Sequence, residues 1–132
     1  MKPGLLCLAL AATGALAAPA DGPLKDITAI RVGNYGAPST QLQGREQLAP
    51  VLAELNGLRG KTWRQVDTRL TCYSTLTLMN GPKTVAIFRV AAETVVERPV
   101  GKNDLAYSID VTGDDVPAIR KHLADAPPAI CR

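Results

Sequence analysis

The chain is 132 residues long, 46% apolar and 20% charged, with a net charge of +3 at neutral pH. These values suit one globular domain and do not suit a disordered chain. The charge is too small to argue for nucleic acid as a partner, and Tyr35, Trp63, Tyr73, Phe88 and Tyr107 are too scattered to form a stacking platform.

Residues 1–20 read as a cleaved signal peptide. Lys2 supplies the positive start, and an apolar stretch runs from Leu5 to Ala18, broken by Thr13 and Gly14. Ala15-Leu16-Ala17 and Ala18-Pro19-Ala20 then offer two small-residue cleavage patterns. The stretch is shorter than the roughly 20 residues that cross a bilayer, and no second one follows, so no membrane span is expected. Cys7 is expected to leave with this segment. Residues 21–132 are expected to form a single domain in the periplasm or the external medium, with a net charge near +2 once Lys2 is removed.

Along that domain, a first strand is expected over about Ile27–Gly33, where Ile30 and Val32 alternate with Ala29 and Arg31. Residues 33–39 have loop composition. A helix is expected within Arg45–Leu58, because Leu48, Val51, Leu52, Leu55 and Leu58 fall on one stripe. Pro50 requires that this helix either start near Leu48 or bend. Asn56-Gly57 and Gly60 punctuate its end. A short strand around Trp63 is possible over Lys61–Asp67.

From Leu70 to Met79 the period is two. Leu70, Cys72, Leu76 and Leu78 share one face with Ser74, and Thr71, Tyr73, Thr75 and Thr77 share the other, as in a half-buried strand. Asn80-Gly81 marks a hairpin, with Pro82 in its turn and a return strand over Thr84–Val90. Thr94–Arg98 reads as a further strand that Pro99 confines to an edge or an end. Tyr107, Ile109 and Val111 alternate in a last strand. A second helix is expected to begin at Asp114 or Asp115, with an aspartate accepting the first-turn amide hydrogens, Pro117 in that turn, and Val116, Ile119 and Leu123 as its apolar stripe. The expected fold class is therefore α+β: a mostly antiparallel sheet, in the order strand, helix, three to five strands, helix, with both helices on the Leu70/Leu76/Leu78 face.

Cys72 and Cys131 remain after export, in an oxidising compartment, and are expected to form a disulfide. It would close a loop of about 60 residues and contribute ~4 kcal/mol in the chain-entropy account. With no C-x-x-C spacing and one histidine, His122, thiol or metal chemistry has little support. His122 suits the C-terminal end of the second helix, where a cation meets the helix dipole. The acidic run Asp110 to Asp115 lacks a calcium loop's sixth-position glycine and twelfth-position glutamate, those places holding Asp115 and Lys121. No Ser-His-Asp arrangement is defensible, since Ser74 lies in a strand rather than at a nucleophile elbow. No cofactor, metal ligand or catalytic residue is assigned.

Two surfaces remain as candidates for partner binding. Arg59, Lys61, Arg64 and Arg69 form a loose basic stretch that could meet an anionic envelope surface or an acidic protein. The Thr71/Tyr73/Thr75/Thr77 face could dock a partner, aided by Tyr35 in its Asn34-Tyr35-Gly36 loop.

The run Trp63-Arg64-Gln65-Val66-Asp67 followed by Leu76-Thr77-Leu78, after a strand and an Asn56-Gly57-Leu58 helix ending, resembles small exported bacterial proteins of uncharacterised function. The resemblance would cover most of the exported chain and implies a similar strand–helix–strands–helix domain; Pro50 departs from it. The function expected is a non-enzymatic binding domain, monomeric, whose partner is a protein or an envelope component. An inhibitor of a secreted or periplasmic hydrolase, acting through residues 33–44, is the alternative. A hydrolase built on two carboxylates from distant segments is the third.

Overall fold

The computed structural model of the protein describes residues 23–34, 40–65, 73–100 and 106–124. In chain order these form β1 (Ala29–Asn34), β2 (Thr40–Gln43), α1 (Arg45–Arg59), β3 (Arg64–Gln65), β4 (Ser74–Asn80), β5 (Lys83–Val90), β6 (Thr94–Arg98), β7 (Tyr107–Asp110), a single 3₁₀ turn (Gly113–Asp115) and α2 (Pro117–Ala124). Among the described residues the seven strands make one sheet in the order β2-β1-β4-β5-β6-β7-β3, with every neighbouring pair antiparallel. The class is α+β, as the periodicity indicates.

The β4–β5 hairpin turns at Asn80-Gly81, and Gly81 has the positive φ of 61° that glycine adopts without strain. Its turn is fastened from outside: the Thr28 hydroxyl accepts the Gly81 N–H at 2.8 Å, and the Thr28 N–H donates to the Met79 carbonyl at 2.8 Å. One irregularity between Leu78 and Met79 shifts the β4–β5 register. Elsewhere the register is unbroken and sorts side chains strictly by face.

On one face lie Ile30, Val32, Leu76, Leu78, Ala86, Phe88, Val90, Val95 and Ile109, all buried. Leu48, Val51, Leu55 and Leu58 of α1 and Ile119 of α2, with Val116 just ahead of it, join the same core. Both helices therefore cover this face, and the other face of the sheet bears no helix among the described residues.

Helix α1 begins at Arg45 and continues through Pro50 to Arg59, so it does not start near Leu48. Pro50 is exposed, and the amide it lacks is on the solvent side, away from the leucine stripe. Gly44 precedes the helix with φ 83°, and Gln47 reaches back to accept the Gln43 N–H at 2.9 Å. At the other end Trp63, fully buried, donates its indole N–H to the Leu58 carbonyl at 2.7 Å. That carbonyl is one of those a helix end leaves without an internal donor, so the tryptophan joins the helix end to the core.

Three expectations need correction. The stretch before α1 contains a strand, β2, which pairs with β1 and forms one edge of the sheet. Asp114 and Asp115 belong to the separate 3₁₀ turn rather than to α2. No aspartate accepts the first amides of α2: Glu54 of α1 accepts the N–H of Ala118 at 2.6 Å and of Ile119 at 2.9 Å. The Asp115 carboxylate instead accepts the Thr112 N–H at 2.7 Å, which closes the 3₁₀ turn.

Candidate functional site

The helix-free face is built by the strand positions that alternate with the core. Its first row crosses four strands as Arg31, Thr77, Ile87 and Arg98. Its second row crosses six as Gly33, Thr75, Arg89, Val96, Ser108 and Arg64. Neighbouring strands lie about 4.8 Å apart, so the backbones of Arg31 and Arg98 are about 14 Å apart along their row. Arg89 and Arg98 are diagonal neighbours on adjacent strands, at about 7 to 8 Å.

Arg31 is exposed, Arg89 and Arg98 are half-buried, and Arg64 is 66% exposed. The Arg89 guanidinium sits over the Tyr73 ring, 5.0 Å from its centroid. A cation over an aromatic face is held without losing its charge, so Tyr73 orients Arg89 and leaves it able to meet an anion. The apolar members do not protrude: Ile87 is half-buried and Val96 buried.

Carboxylates are scarce on this side. Among the described strand residues two are acidic, Glu97 and Asp110. Asp110 lies at the margin of the helix-free face and pairs with Arg64 at 3.4 Å. Glu97 faces the other way. It pairs across strands with Phe88 and Tyr107, under the C-terminal end of α1. There the Nε of Arg59 donates to Oε1 at 3.2 Å and Nη2 donates to Oε2. Glu97 is 1% exposed and Arg59 9%. Burial pushes the Glu97 carboxyl above its ordinary value, and the Arg59 hydrogen bond and charge oppose that rise.

The residues expected to bind a partner separate accordingly. Tyr73 and Thr75 lie at the helix-free face, and Arg64 at its edge. Arg59 points inward to Glu97, and Lys61 is 3.8 Å from Asp115 near the 3₁₀ turn. The basic stretch is thus divided among three carboxylates and does not form one patch. Tyr35 and the expected Cys72–Cys131 disulfide lie outside the described residues, as does Arg69. Sequence reasoning missed Arg31, Arg89 and Arg98, although each alternates with core residues of its own strand. They are far apart in the chain, and only strand order brings them together.

Catalytic geometry is a different matter. His122 is half-buried in the last turn of α2. Among the described residues no three His, Cys, Asp or Glu side chains are grouped to hold a metal ion, and no helix is long and apolar enough to cross a membrane. A hollow of about 570 Å³ lies between the β5–β6 turn and the end of β7. Two carboxylates, Glu93 and Asp110, and the hydroxyls of Thr94 and Thr112 border it. No known family matches this chain, nor does any curated protein or solved structure.

Proposed function

We propose that the protein is an exported, non-enzymatic binding domain that docks its partner on the helix-free face of the sheet. The observation that supports this reading is the placement of Arg31, Arg89 and Arg98 on one sheet face whose central strands contribute no carboxylate. On that face Arg31 is exposed and Arg89 is held over the Tyr73 ring rather than by a carboxylate, so the guanidinium forks of these two can meet an outside acceptor. Thr75 and Thr77, half-buried between the arginines, add hydroxyls to the same surface. The signal-like character of residues 1–20 supports a location in the periplasm or the medium, where a Cys72–Cys131 pair would be oxidised.

The test uses exported, oxidised protein immobilised on a support and exposed to native envelope extract. The triple variant R31Q/R89Q/R98Q serves as the comparison. The expected result is one reproducible partner with the wild type and its loss with a variant that still unfolds cooperatively. A partner retained by the triple variant removes the helix-free face from the reading. Hydrolytic turnover by the purified protein, abolished by substitution of an acidic residue, removes the non-enzymatic part.

A further inference from the structure

We infer that the hollow between the first half of α1 and the segment leading into β1 binds a free medium-chain carboxylate, with the head group at Arg45 and the alkyl chain laid along the helix. The site lies beside α1, on the side of the sheet opposite the docking face, and does not depend on that reading.

Shape is the first support. The hollow measures about 450 Å³, within the range of small-molecule sites. One wall is a single stripe of α1, since Arg45, Leu48, Ala49 and Leu52 stand at i, i+3, i+4 and i+7. Seven residues of helix rise about 10.5 Å, which puts Arg45 at one end of the groove and Leu52 at the other. Ile27 and Thr28 form the facing wall. Leu48 is buried, and Ile27 and Leu52 are half-buried, whereas Arg45 and Ala49 are exposed. The floor is thus apolar and the charge stands at the open rim. An alkyl chain of eight to ten carbons, at about 1.3 Å for each, matches that length.

Charge complementarity sets the head group. Among the described residues Arg45 is the one ionisable side chain bordering the hollow, and no ion pair joins it to a described carboxylate. Asp26 and Glu46 adjoin the lining in sequence, but neither borders the hollow. The guanidinium fork meets a carboxylate with two parallel hydrogen bonds. At the same end of α1 the first-turn amides have no internal acceptor, and Gly44 supplies no side-chain cap, so the local field also favours an anion.

Other hollows do not suit this ligand. Glu93 and Asp110 at the end of β7 would repel an anion, and Arg59, beside Asn56 and Gly60, is turned inward to Glu97.

Titration calorimetry of the exported, oxidised protein tests the site with hexanoate, octanoate and decanoate, and with octanol as the uncharged control. The acids are expected to bind, with affinity rising roughly three- to fourfold for each added methylene. Octanol should bind about tenfold more weakly than octanoate. Arg45→Gln should weaken octanoate about tenfold and leave octanol unchanged, a difference that a merely structural arginine would not produce. Ala49→Phe, at an exposed helix position, fills the groove and should abolish binding of both, while thermal melts show that each variant is folded. Absence of binding by all three acids, affinity independent of chain length, unchanged octanoate affinity in Arg45→Gln, or binding retained by folded Ala49→Phe would each overturn the inference. Binding to phosphatidylglycerol vesicles without binding to the free acids would overturn it as well, in favour of a bilayer surface.

Discussion

Arg59 and Arg89 lie on opposite sides of one sheet and are held by unlike neighbours. Under the helices, Arg59 meets the two oxygens of Glu97, and both side chains are nearly closed to water. On the helix-free side, Arg89 rests over Tyr73, with Arg98 as its diagonal neighbour and no acidic residue in its row. The inner charge is balanced because desolvating it alone would cost too much. The outer charges tolerate one another because water screens them. Burial therefore decides how an arginine is held: Arg59, inside, is matched by a carboxylate, and Arg89, outside, by the face of an aromatic ring.

The largest effect should come from the inner pair. Glu97→Ala leaves Arg59 buried without its acceptor and is expected to lower the unfolding free energy by about 3–5 kcal/mol, read by urea denaturation. The apolar double replacement R59M/E97L should recover most of that loss, since the pair itself adds little beyond what packing can supply. A loss below about 1 kcal/mol for Glu97→Ala would mean the pair behaves like a solvated one.

Next in size is the contact between the helices. Glu54→Ala deprives the Ala118 and Ile119 amides of their acceptor and is expected to cost about 1–2 kcal/mol, the range of a lost helix cap. Glu54→Gln retains one acceptor oxygen and should cost less.

The pH dependences are smaller and differ in sign. Glu97 has a raised value in the folded state, so its stabilising share is complete below the ordinary carboxylate range and falls as pH rises through the raised value. Stability curves of wild type and Glu97→Gln should therefore diverge in slope above that range. Asp115 behaves oppositely. The Thr112 N–H lowers it most; burial opposes that fall, and Lys61 and the Thr112 hydroxyl add to it. Its share is present above the ordinary value and lost as pH falls through the lowered one, and Asp115→Asn should flatten the acid limb. The smallest effect belongs to the outer face: Arg31→Gln should change stability by less than about 0.5 kcal/mol while weakening partner binding. A larger destabilisation would give Arg31 a structural partner.

Periodicity made the central hairpin and α1 readable. Leu76 and Leu78 alternate with threonines, Asn80-Gly81 supplies the turn, and four buried residues of α1 fall on one stripe. β2 was not readable: Leu42 is its one buried residue, and four residues with one apolar position have no detectable period. The inward Glu97 was hidden for a related reason. In Thr94–Arg98 a glutamate two residues after Val95 reads as solvent-facing, and only its distant partner Arg59 reverses that. The arginine face shares this difficulty, because each member is legible as outward-pointing but the strand order that assembles them is set by pairings far apart in sequence. Thr75 in β4, and Tyr73 just ahead of it, were found because they keep the period of two that Leu76 and Leu78 set.

The Glu54 clamp has a consequence for the order in which the chain assembles. An eight-residue helix cannot sustain itself in water, and the carboxylate that receives the first amides of α2 lies 64 and 65 positions earlier in the chain. α1 is synthesised well before its ligands, and α2 can be completed only on a surface already formed. Amide exchange at Ala118 and Ile119 should therefore report the seating of α1 rather than local fraying, and the corner where the helices meet should be among the last parts of the molecule to close.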